Sequence, residues 1–260
     1  MKSSTYVKSY YQNGLVQHDA ALELLELLPN TSSYVLDVGC GSGKVSELFC
    51  KKTSPLEMIA IDKSFEMVKE AIFLHGTTKI NYKNHDIENI SFKRKFDVII
   101  SNSSLQWFKN IKISLSNIHD HLSDNGRFYV QAPFQKNWCP EITLMVDDFF
   151  NEQYPELKSY FSFPCIHLDT LDEYVDLFSK SNLHTEKIYS KTFSYNVDNR
   201  DFIKIFKSGA IKAYSSEENF STLLPHDFYE NLLKFASNYY SKRVTINMPR
   251  FFAIIKKFKS

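Results

Sequence analysis

A short strand that runs directly into a glycine-rich turn is the feature that most constrains the fold of this chain. Residues 34–38, Tyr-Val-Leu-Asp-Val, are largely apolar and β-branched, and they lead into Gly39-Cys-Gly-Ser-Gly43 before a helical pattern begins at Val45. Glycines at such a position let the chain turn sharply and let backbone N–H groups approach a ligand. The segment therefore predicts a strand, a tight turn that faces a ligand, and a helix.

The same strand-and-helix unit recurs through the first half of the chain. Further strands are predicted at 58–61, 79–83, 96–100 and 127–131, with helices between them and one helix, 17–28, ahead of the first strand. Strands that alternate with helices form a parallel sheet covered on both faces, with the ligand crevice at the carboxyl ends of the strands. The pattern predicts a doubly wound α/β fold.

The regular alternation of strands and helices ends after residue 133. Helical patterns at 141–161, 171–181, 201–214 and 227–240 surround a predicted strand at 185–195, and a last strand is predicted at 250–255. We therefore expect a seven-stranded, mostly parallel sheet with an inserted helical cap. The expected organisation is a single domain over 1–260, with a ligand-binding core at 1–133, cap insertions within 134–245 and the last strand in 246–260.

Composition argues against several classes of partner. The 31 Lys and Arg residues against 30 Asp and Glu leave a net charge of +1, which provides no basic field for a nucleic acid. No stretch approaches the roughly 18 apolar residues of a membrane span, and residues 1–14 lack the apolar run of a secretory signal. The four cysteines have no metal-ligand spacing. We expect a cytoplasmic protein without a bound metal.

Acidic residues follow the first three predicted strands, and they indicate the ligand. Lys44 stands where a dinucleotide fingerprint requires its third glycine, and the Asp37 carboxylate would repel a phosphate but suits an α-amino group. Asp62 can accept hydrogen bonds from a ribose diol, and Asp86 could face an adenine amino group. Three carboxylates at successive strand ends favour a cationic sulfonium nucleoside over a dinucleotide.

With an acidic residue ahead of GxGxG, the sequence resembles the class I S-adenosylmethionine (SAM)-dependent methyltransferases over about residues 34–133. The resemblance implies SAM as the cofactor and S-adenosylhomocysteine (SAH) as its product. It implies a cofactor site that contains Tyr11, Gln17, Asp37, Gly39, Cys40, Gly41, Asp62, Lys63, Met67, Asp86, Ile87 and Asn102.

Residues 102–108, Asn-Ser-Ser-Leu-Gln-Trp-Phe, are similar to a segment of methyltransferases that act on small carboxylic acids. These include trans-aconitate methyltransferase and the malonyl-carrier-protein methyltransferase of biotin synthesis, so the resemblance implies O-methylation of a carboxylate. A carboxylate is already deprotonated at pH 7, and we therefore expect Gln106 and Trp107 to position the reactants rather than to move a proton. An anionic acceptor also needs a cation, for which Arg243 and Arg250 are candidates.

Two alternatives stay open at this point. The cap could accept a hydroxyl, amine or carbon of another metabolite, with a His or Glu as base, or the fold could bind SAM without turnover. The expected partner is a small or carrier-protein-bound acid, and a carrier could dock on 93–95, Lys-Arg-Lys, or on 256–257, Lys-Lys. We expect a monomer or a weak dimer.

Overall fold

One sheet of seven strands organises the residues that the computed structural model describes, which are 15–76 and 79–258. The strands are β1 Tyr34–Val38, β2 Glu57–Asp62, β3 Ile80–Asn84, β4 Phe96–Asn102, β5 Leu122–Pro133, β6 Leu183–Val197 and β7 Val244–Lys257. Across the sheet they follow the order β3-β2-β1-β4-β5-β7-β6. Strands β1 to β5 pair in parallel, and β7 is antiparallel to both β5 and β6. The predicted fold of seven mostly parallel strands is confirmed.

Nine α-helices of the described residues cover the sheet or its carboxyl edge. They are α1 Leu15–Leu25, α2 Lys44–Thr53, α3 Phe65–His75, α4 Ile111–His121, α5 Pro140–Gln153, α6 Leu171–Ser179, α7 Asn199–Ile205, α8 Ile211–Ser215 and α9 Phe228–Tyr239. Ser64 begins α3, as predicted, because its Oγ accepts a hydrogen bond from the Met67 N–H at 3.3 Å. Among these helices none has the length and apolar character that a bilayer crossing requires.

Two predicted helices are interrupted in the structure. The helix predicted at 141–161 ends at Gln153, because Pro155 has no N–H to donate and restricts the residue before it, and a 3₁₀ turn at Pro155–Tyr160 follows. The helix predicted at 201–214 is divided into α7 and α8 by a π-helical turn at Phe206–Ala210, within which Gly209 leaves helical geometry. Hydrophobic periodicity continues across both breaks and therefore does not detect them.

The last strand is longer than predicted, and its additional residues extend beyond the sheet towards the cap. Strand β6 pairs with β7 over its whole length, whereas β5 stops at Pro133, opposite Arg250. Residues 244–249 of β7 and their partners in β6 consequently extend past the carboxyl ends of the parallel strands as a two-stranded ribbon. The ribbon is tied to α1 by Tyr195, whose hydroxyl donates to Asp19 Oδ2 at 2.8 Å.

Successive residues of each strand belong alternately to two apolar clusters, one on each face of the sheet. In β1, Val35 belongs to the cluster that contains residues of α1, α2 and α3, and Leu36 to the cluster that contains residues of α4 and α6. A third, mostly aromatic cluster draws Phe149 from α5, Phe228 from α9 and Ile246 from the ribbon. This third cluster is the core of the inserted helical cap, which lies beyond the carboxyl edge of the parallel strands.

Candidate cofactor and acceptor site

The turn after β1 needs its glycines for two separate reasons. Gly39, Gly41 and Gly43 have φ angles of 78°, 54° and 83°, in the left-handed region where other residues are strained. A Cβ added to Gly39 would lie 2.3 Å from Ser104 Cβ, so the first glycine also allows the loop after β4 to approach. The Gly39 N–H donates to the Ile61 carbonyl at 2.8 Å, which fixes the turn against the end of β2.

The turn borders an open cleft of about 500 Å³, its mouth included. The cleft is lined by Gln17, His18, Asp37, Gly39, Cys40, Ser42, Lys44, Val45, Phe49 and Asn102. Five predicted cofactor residues, Gln17, Asp37, Gly39, Cys40 and Asn102, therefore surround one space. Tyr11, a further predicted member, lies outside the described residues.

Asp37 carries an unusual carboxyl group at the floor of the cleft. The residue is 2% exposed, and its Oδ2 accepts a hydrogen bond from Ser46 Oγ at 2.6 Å. Burial raises the pKa of Asp37 to about 7; the Ser46 hydrogen bond opposes this shift, and the negative charge of Asp62 adds to it. A bound ammonium group would stabilise the carboxylate form, so this position fits the α-amino end of an amino-acid-like ligand.

Asp62, at the end of β2, is held by two backbone donors. Its Oδ2 accepts from the Gly41 N–H at 2.9 Å and its Oδ1 from the Ser64 N–H at 2.8 Å. Burial raises the pKa of this carboxyl group, while the two N–H bonds and the charges of Lys63 and Lys212 oppose that shift. The carboxylate is thus oriented by the glycine turn itself, and the remaining lone pairs of its oxygens can accept hydroxyl donors.

Besides Gly41 and Asp62, four predicted cofactor residues are not part of the lining of the glycine cleft. Lys63 Nζ donates to the Trp107 carbonyl at 3.2 Å, and Met67 is a buried residue of α3. Asp86 Oδ1 accepts from the Glu88 N–H at 3.0 Å and so begins a short 3₁₀ turn at Ile87–Asn89, in which Ile87 is buried. They follow β2 and β3, on the side of the sheet towards which the ribose and adenine were predicted to extend.

The segment after β4 connects the cleft to a second group of polar residues. Asn102 Nδ2 donates to the Gln17 carbonyl at 3.3 Å, and Asn102 Oδ1 accepts from Gln131 Nε2 at 2.8 Å. Gln106 is buried, and its Nε2 donates to the Ser103 carbonyl at 2.9 Å. The predicted positioning residues thus differ: the Gln106 side chain points inward, whereas Trp107 is half-buried at the surface of the loop.

The two arginines predicted as candidates to bind an anionic acceptor, Arg250 and Arg243, lie in different environments. Arg250 is 4% exposed, and its Nη1 donates to Ser103 Oγ at 3.2 Å, which places it beside the β4 loop. Arg243 is exposed on the ribbon, where it bonds Asn196 through Nε and Nη2. Only Arg250 therefore adjoins the candidate site.

Sequence reasoning missed Gln131, Trp138 and His167. Gln131 is fully buried in β5, and Trp138 and His167 are each less than a tenth exposed, with ring centroids 6.3 Å apart. Burial, and secondarily the charge of Arg250, lowers the pKa of His167 to about 4, so its ring is neutral at pH 7. No local motif marks these residues, although a glutamine at the end of an apolar strand is a signal that could have identified Gln131.

Over 15–76 and 79–258, no three His, Cys, Asp or Glu side chains form a group that could hold a metal ion.

Comparisons with known proteins bear on the family of this chain. Residues 13–188 match a family model described as a methyltransferase domain. The chain is similar to a malonyl-[acyl-carrier protein] O-methyltransferase of Priestia megaterium, with 27% identity over 163 residues that cover 61% of this chain and 54% of the relative. It is also similar to a trans-aconitate 2-methyltransferase of Escherichia fergusonii, with 31% identity over 138 residues that cover 52% of this chain and 53% of the relative. The chain spans about half the length of these curated relatives.

The fold of this chain is similar to that of a solved structure. The YcgJ protein of Bacillus subtilis superimposes with a TM-score of 0.63 at 17% sequence identity, and the match covers 94% of this chain and 100% of that one. At this identity the likeness bears on the fold alone.

Proposed function

Because this chain belongs to the methyltransferase domain family, we propose that it transfers a methyl group from SAM to the carboxylate of a small or carrier-bound acid. The observation that carries the proposal is a separation of opposite charges within one site. The buried Asp37 carboxyl group lies at the cleft, and the buried Arg250 guanidinium lies beyond Ser103. The first suits a cationic cofactor, and the second an anionic acceptor.

The residues of the cleft fit SAM in chemical type. Asp37 would hold the ammonium group, and the methionine part would lie against the turn at Gly39 and Gly41. Asp62 would accept the ribose hydroxyls, and Asp86 would lie towards the adenine. When bound, SAM supplies a methyl group on a positively charged sulfur, and SAH is the neutral thioether that remains.

The protein's own contribution is orientation and the exclusion of water. Gln106 would hold the acceptor by its buried amide, and Trp107 would cover the reacting groups with an apolar ring. Arg250 would orient the acceptor carboxylate through charge-assisted hydrogen bonds. No side chain has to remove a proton, because a carboxylate with a pKa near 4 is ionised at pH 7.

The choice of acceptor is supported by the two curated relatives. One is named for a malonyl group on a carrier protein and the other for trans-aconitate, and both of these are acids. A malonyl carrier protein as acceptor would connect the enzyme with biotin synthesis. The exposed basic residues at 93–95 and the half-buried Lys256 and Lys257 are candidates for contact with an acidic carrier.

The proposal is tested by incubation with methyl-labelled SAM and an acceptor panel. The panel contains malonyl carrier protein, free malonate, malonamate, trans-aconitate and a metabolite alcohol, and products are identified by mass spectrometry. We expect a labelled methyl ester on at least one acid and none on the alcohol. Labelled ether from the alcohol would favour a hydroxyl methyltransferase, and SAH binding without any labelled product would favour a non-catalytic SAM-binding protein.

A pair of arginine variants tests the role of charge. Arg250→Met should lower kcat/KM for the acid about tenfold to a hundredfold, the loss expected for a charge-assisted hydrogen bond of about 1.5–3 kcal/mol. Arg243→Met is the matched control, since this arginine is exposed and bonded to Asn196. Equal activities of the two variants would contradict the assignment of Arg250 to the acceptor.

A further inference from the structure

Three buried side chains converge on Ser103 from different elements. Gln106 Nε2 bonds the Ser103 carbonyl at 2.9 Å, and Arg250 Nη1 bonds Ser103 Oγ at 3.2 Å. Gln131 Nε2 donates to the same Oγ and to Asn102 Oδ1. These contacts connect the β4 loop, the end of β5 and the middle of β7 at one point beside the cleft.

Two cap-side residues complete the group. The Ile166 N–H donates to the Gln106 carbonyl at 3.0 Å, and this contact brings the neighbouring His167 to the β4 loop. The positive charge of Arg250 acts on His167, and the His167 ring lies beside the Trp138 ring. We define the acceptor chamber as Ser103, Gln106, Gln131, Trp138, His167 and Arg250.

The chamber contains buried polar atoms whose hydrogen bonds are not made within the described residues. They are Gln106 Oε1, Gln131 Oε1 and both ring nitrogens of His167, whereas the Trp138 indole N–H is directed to the Tyr214 hydroxyl. Such atoms have lost their hydration without replacement, which costs free energy in the ligand-free protein. Several of them in one place indicate a surface that a polar ligand completes.

The orientation of both glutamine amides is fixed by their partners. Gln106 Nε2 faces the Ser103 carbonyl, so an exchange of its N and O would set two acceptors against each other. Gln131 Nε2 faces Asn102 Oδ1, whose own orientation follows from the bond between Asn102 Nδ2 and the Gln17 carbonyl. Both open atoms are therefore acceptors, and they require a ligand that donates.

From this arrangement we propose that the acceptor chamber binds the methyl acceptor, and that the acceptor carries a carboxylate next to an N–H or O–H donor. The inference rests on the proposed function and narrows its substrate class. Arg250 and one N–H of His167 bind the carboxylate, and the Trp138 ring borders it. The carbonyl oxygens of Gln106 and Gln131 bind the neighbouring donor, which a simple diacid dianion lacks.

The surroundings of His167 strengthen these contacts. The rings of Phe163 and Tyr214 lie on its cap side, with centroid distances of 5.4 Å from Phe163 to His167 and 5.3 Å between Phe163 and Tyr214. Apolar walls lower the local dielectric and make each hydrogen bond in the chamber stronger. With His167 neutral, the guanidinium of Arg250 is the one charge of the chamber as defined, which favours an anionic ligand.

Three probes of similar size separate the two requirements. Malonamate has a carboxylate and an amide N–H, monomethyl malonate has a carboxylate without a donor, and malonamide has donors without a carboxylate. SAH binding to the whole protein is first measured by calorimetry, and each probe is then titrated into the SAH-saturated protein. We expect malonamate to bind at least about tenfold more tightly than either analogue, as befits one lost buried hydrogen-bond partner.

Side-chain variants connect this selectivity with the chamber. His167→Phe removes the open N–H donor and keeps an aromatic ring, and it should weaken malonamate and monomethyl malonate alike. Gln106→Met removes an acceptor and should abolish the preference for malonamate over the monoester. His184→Gln, an exposed histidine on β6, is the control and should change neither quantity. SAH affinity reports the folding of each variant, and the ratio between probes reports the role in selectivity.

The outcomes distinguish this inference from the proposed function. A parent protein that does not bind SAH would overturn both. SAH binding together with equal affinities for the three probes, or with no probe binding at all, would overturn the acceptor chamber and leave the methyltransferase proposal standing. Unchanged probe ratios in Gln106→Met and unchanged affinities in His167→Phe would likewise remove these residues from the acceptor site.

Discussion

Gly39→Ala is expected to damage both the fold and the cofactor site by a calculable amount. Alanine at a φ of 78° costs roughly 1–2 kcal/mol. Its Cβ would lie 2.3 Å from Ser104 Cβ and 2.6 Å from Ser104 Oγ. Ser104 cannot move without losing the bond from its Oγ to the Val38 carbonyl at 2.7 Å, which adds about 1–2 kcal/mol. We expect a total destabilisation of about 3 kcal/mol.

The assay combines thermal unfolding with calorimetric titration of SAH. A loss of about 3 kcal/mol should lower the melting temperature by about 6–12 °C for a chain of this size. SAH affinity should fall at least about tenfold, because Gly39 and Cys40 line the cleft and a displaced turn changes its shape. A companion change, Ser104→Gly, removes the atoms that the new methyl group would meet.

The double variant isolates the collision between the two residues. Gly39→Ala with Ser104→Gly should be more stable than the sum of the single changes by about 1–2 kcal/mol, because only the backbone strain at residue 39 remains. If Gly39→Ala melted like the parent and bound SAH equally well, the reasoning about the turn would be refuted. Strict additivity would show that Ser104 is not the obstacle.

The remaining predictions concern the carboxylates and the cap. Asp62→Ala removes the acceptor of the Gly41 and Ser64 N–H groups and should weaken SAH binding by about 1–3 kcal/mol, measured by calorimetry; parent-like affinity would contradict its role. Because the pKa of Asp37 is raised to about 7, its carboxylate is lost as the pH falls through that value, and SAH affinity should drop by up to about tenfold per pH unit from 7 to 5, whereas Asp37→Asn should flatten this profile. The raised pKa of Asp37 also makes the free energy of unfolding of the ligand-free protein depend on pH, in the opposite direction. The protonated Asp37 contributes its full stabilisation below about pH 4, and this contribution is lost as the pH rises to 7. Chemical unfolding at several pH values would detect the loss. Phe149→Ala empties a fully buried position in the cap cluster and should cost about 3–5 kcal/mol of unfolding free energy while SAH affinity stays within about threefold; a larger loss of affinity would show that the cap and the cleft are coupled.

Local sequence patterns were sufficient for the cofactor half of the site. The first five strands, the glycine turn and the positions of Asp37 and Asp62 follow from periodicity and turn chemistry, because each depends on residues close together in the chain. Gln17, Asp37, Gly39, Cys40 and Asn102 were predicted together and line one cleft. Their roles in binding SAM remain predictions.

Other parts of the fold escaped sequence reasoning for identifiable reasons. The π-helical turn at Phe206–Ala210 and the break before Pro155 leave the apolar pattern intact, so a single helix was predicted in each place. The ribbon formed by residues 244–249 and their partners in β6 depends on pairing between segments about 50 residues apart, for which no local pattern exists.

The sequence by itself determined the parallel sheet, the turn after β1 and the acidic strand ends, since these are consequences of spacing within short segments. Only the tertiary structure decided that Arg250 is buried while Arg243 is exposed, and that Gln106, Gln131, Trp138 and His167 share one interior. The physical reason is that burial and open hydrogen-bond capacity belong to a packed environment. That environment is created where β4, β5, β7 and the cap meet, and no short segment of the chain contains it.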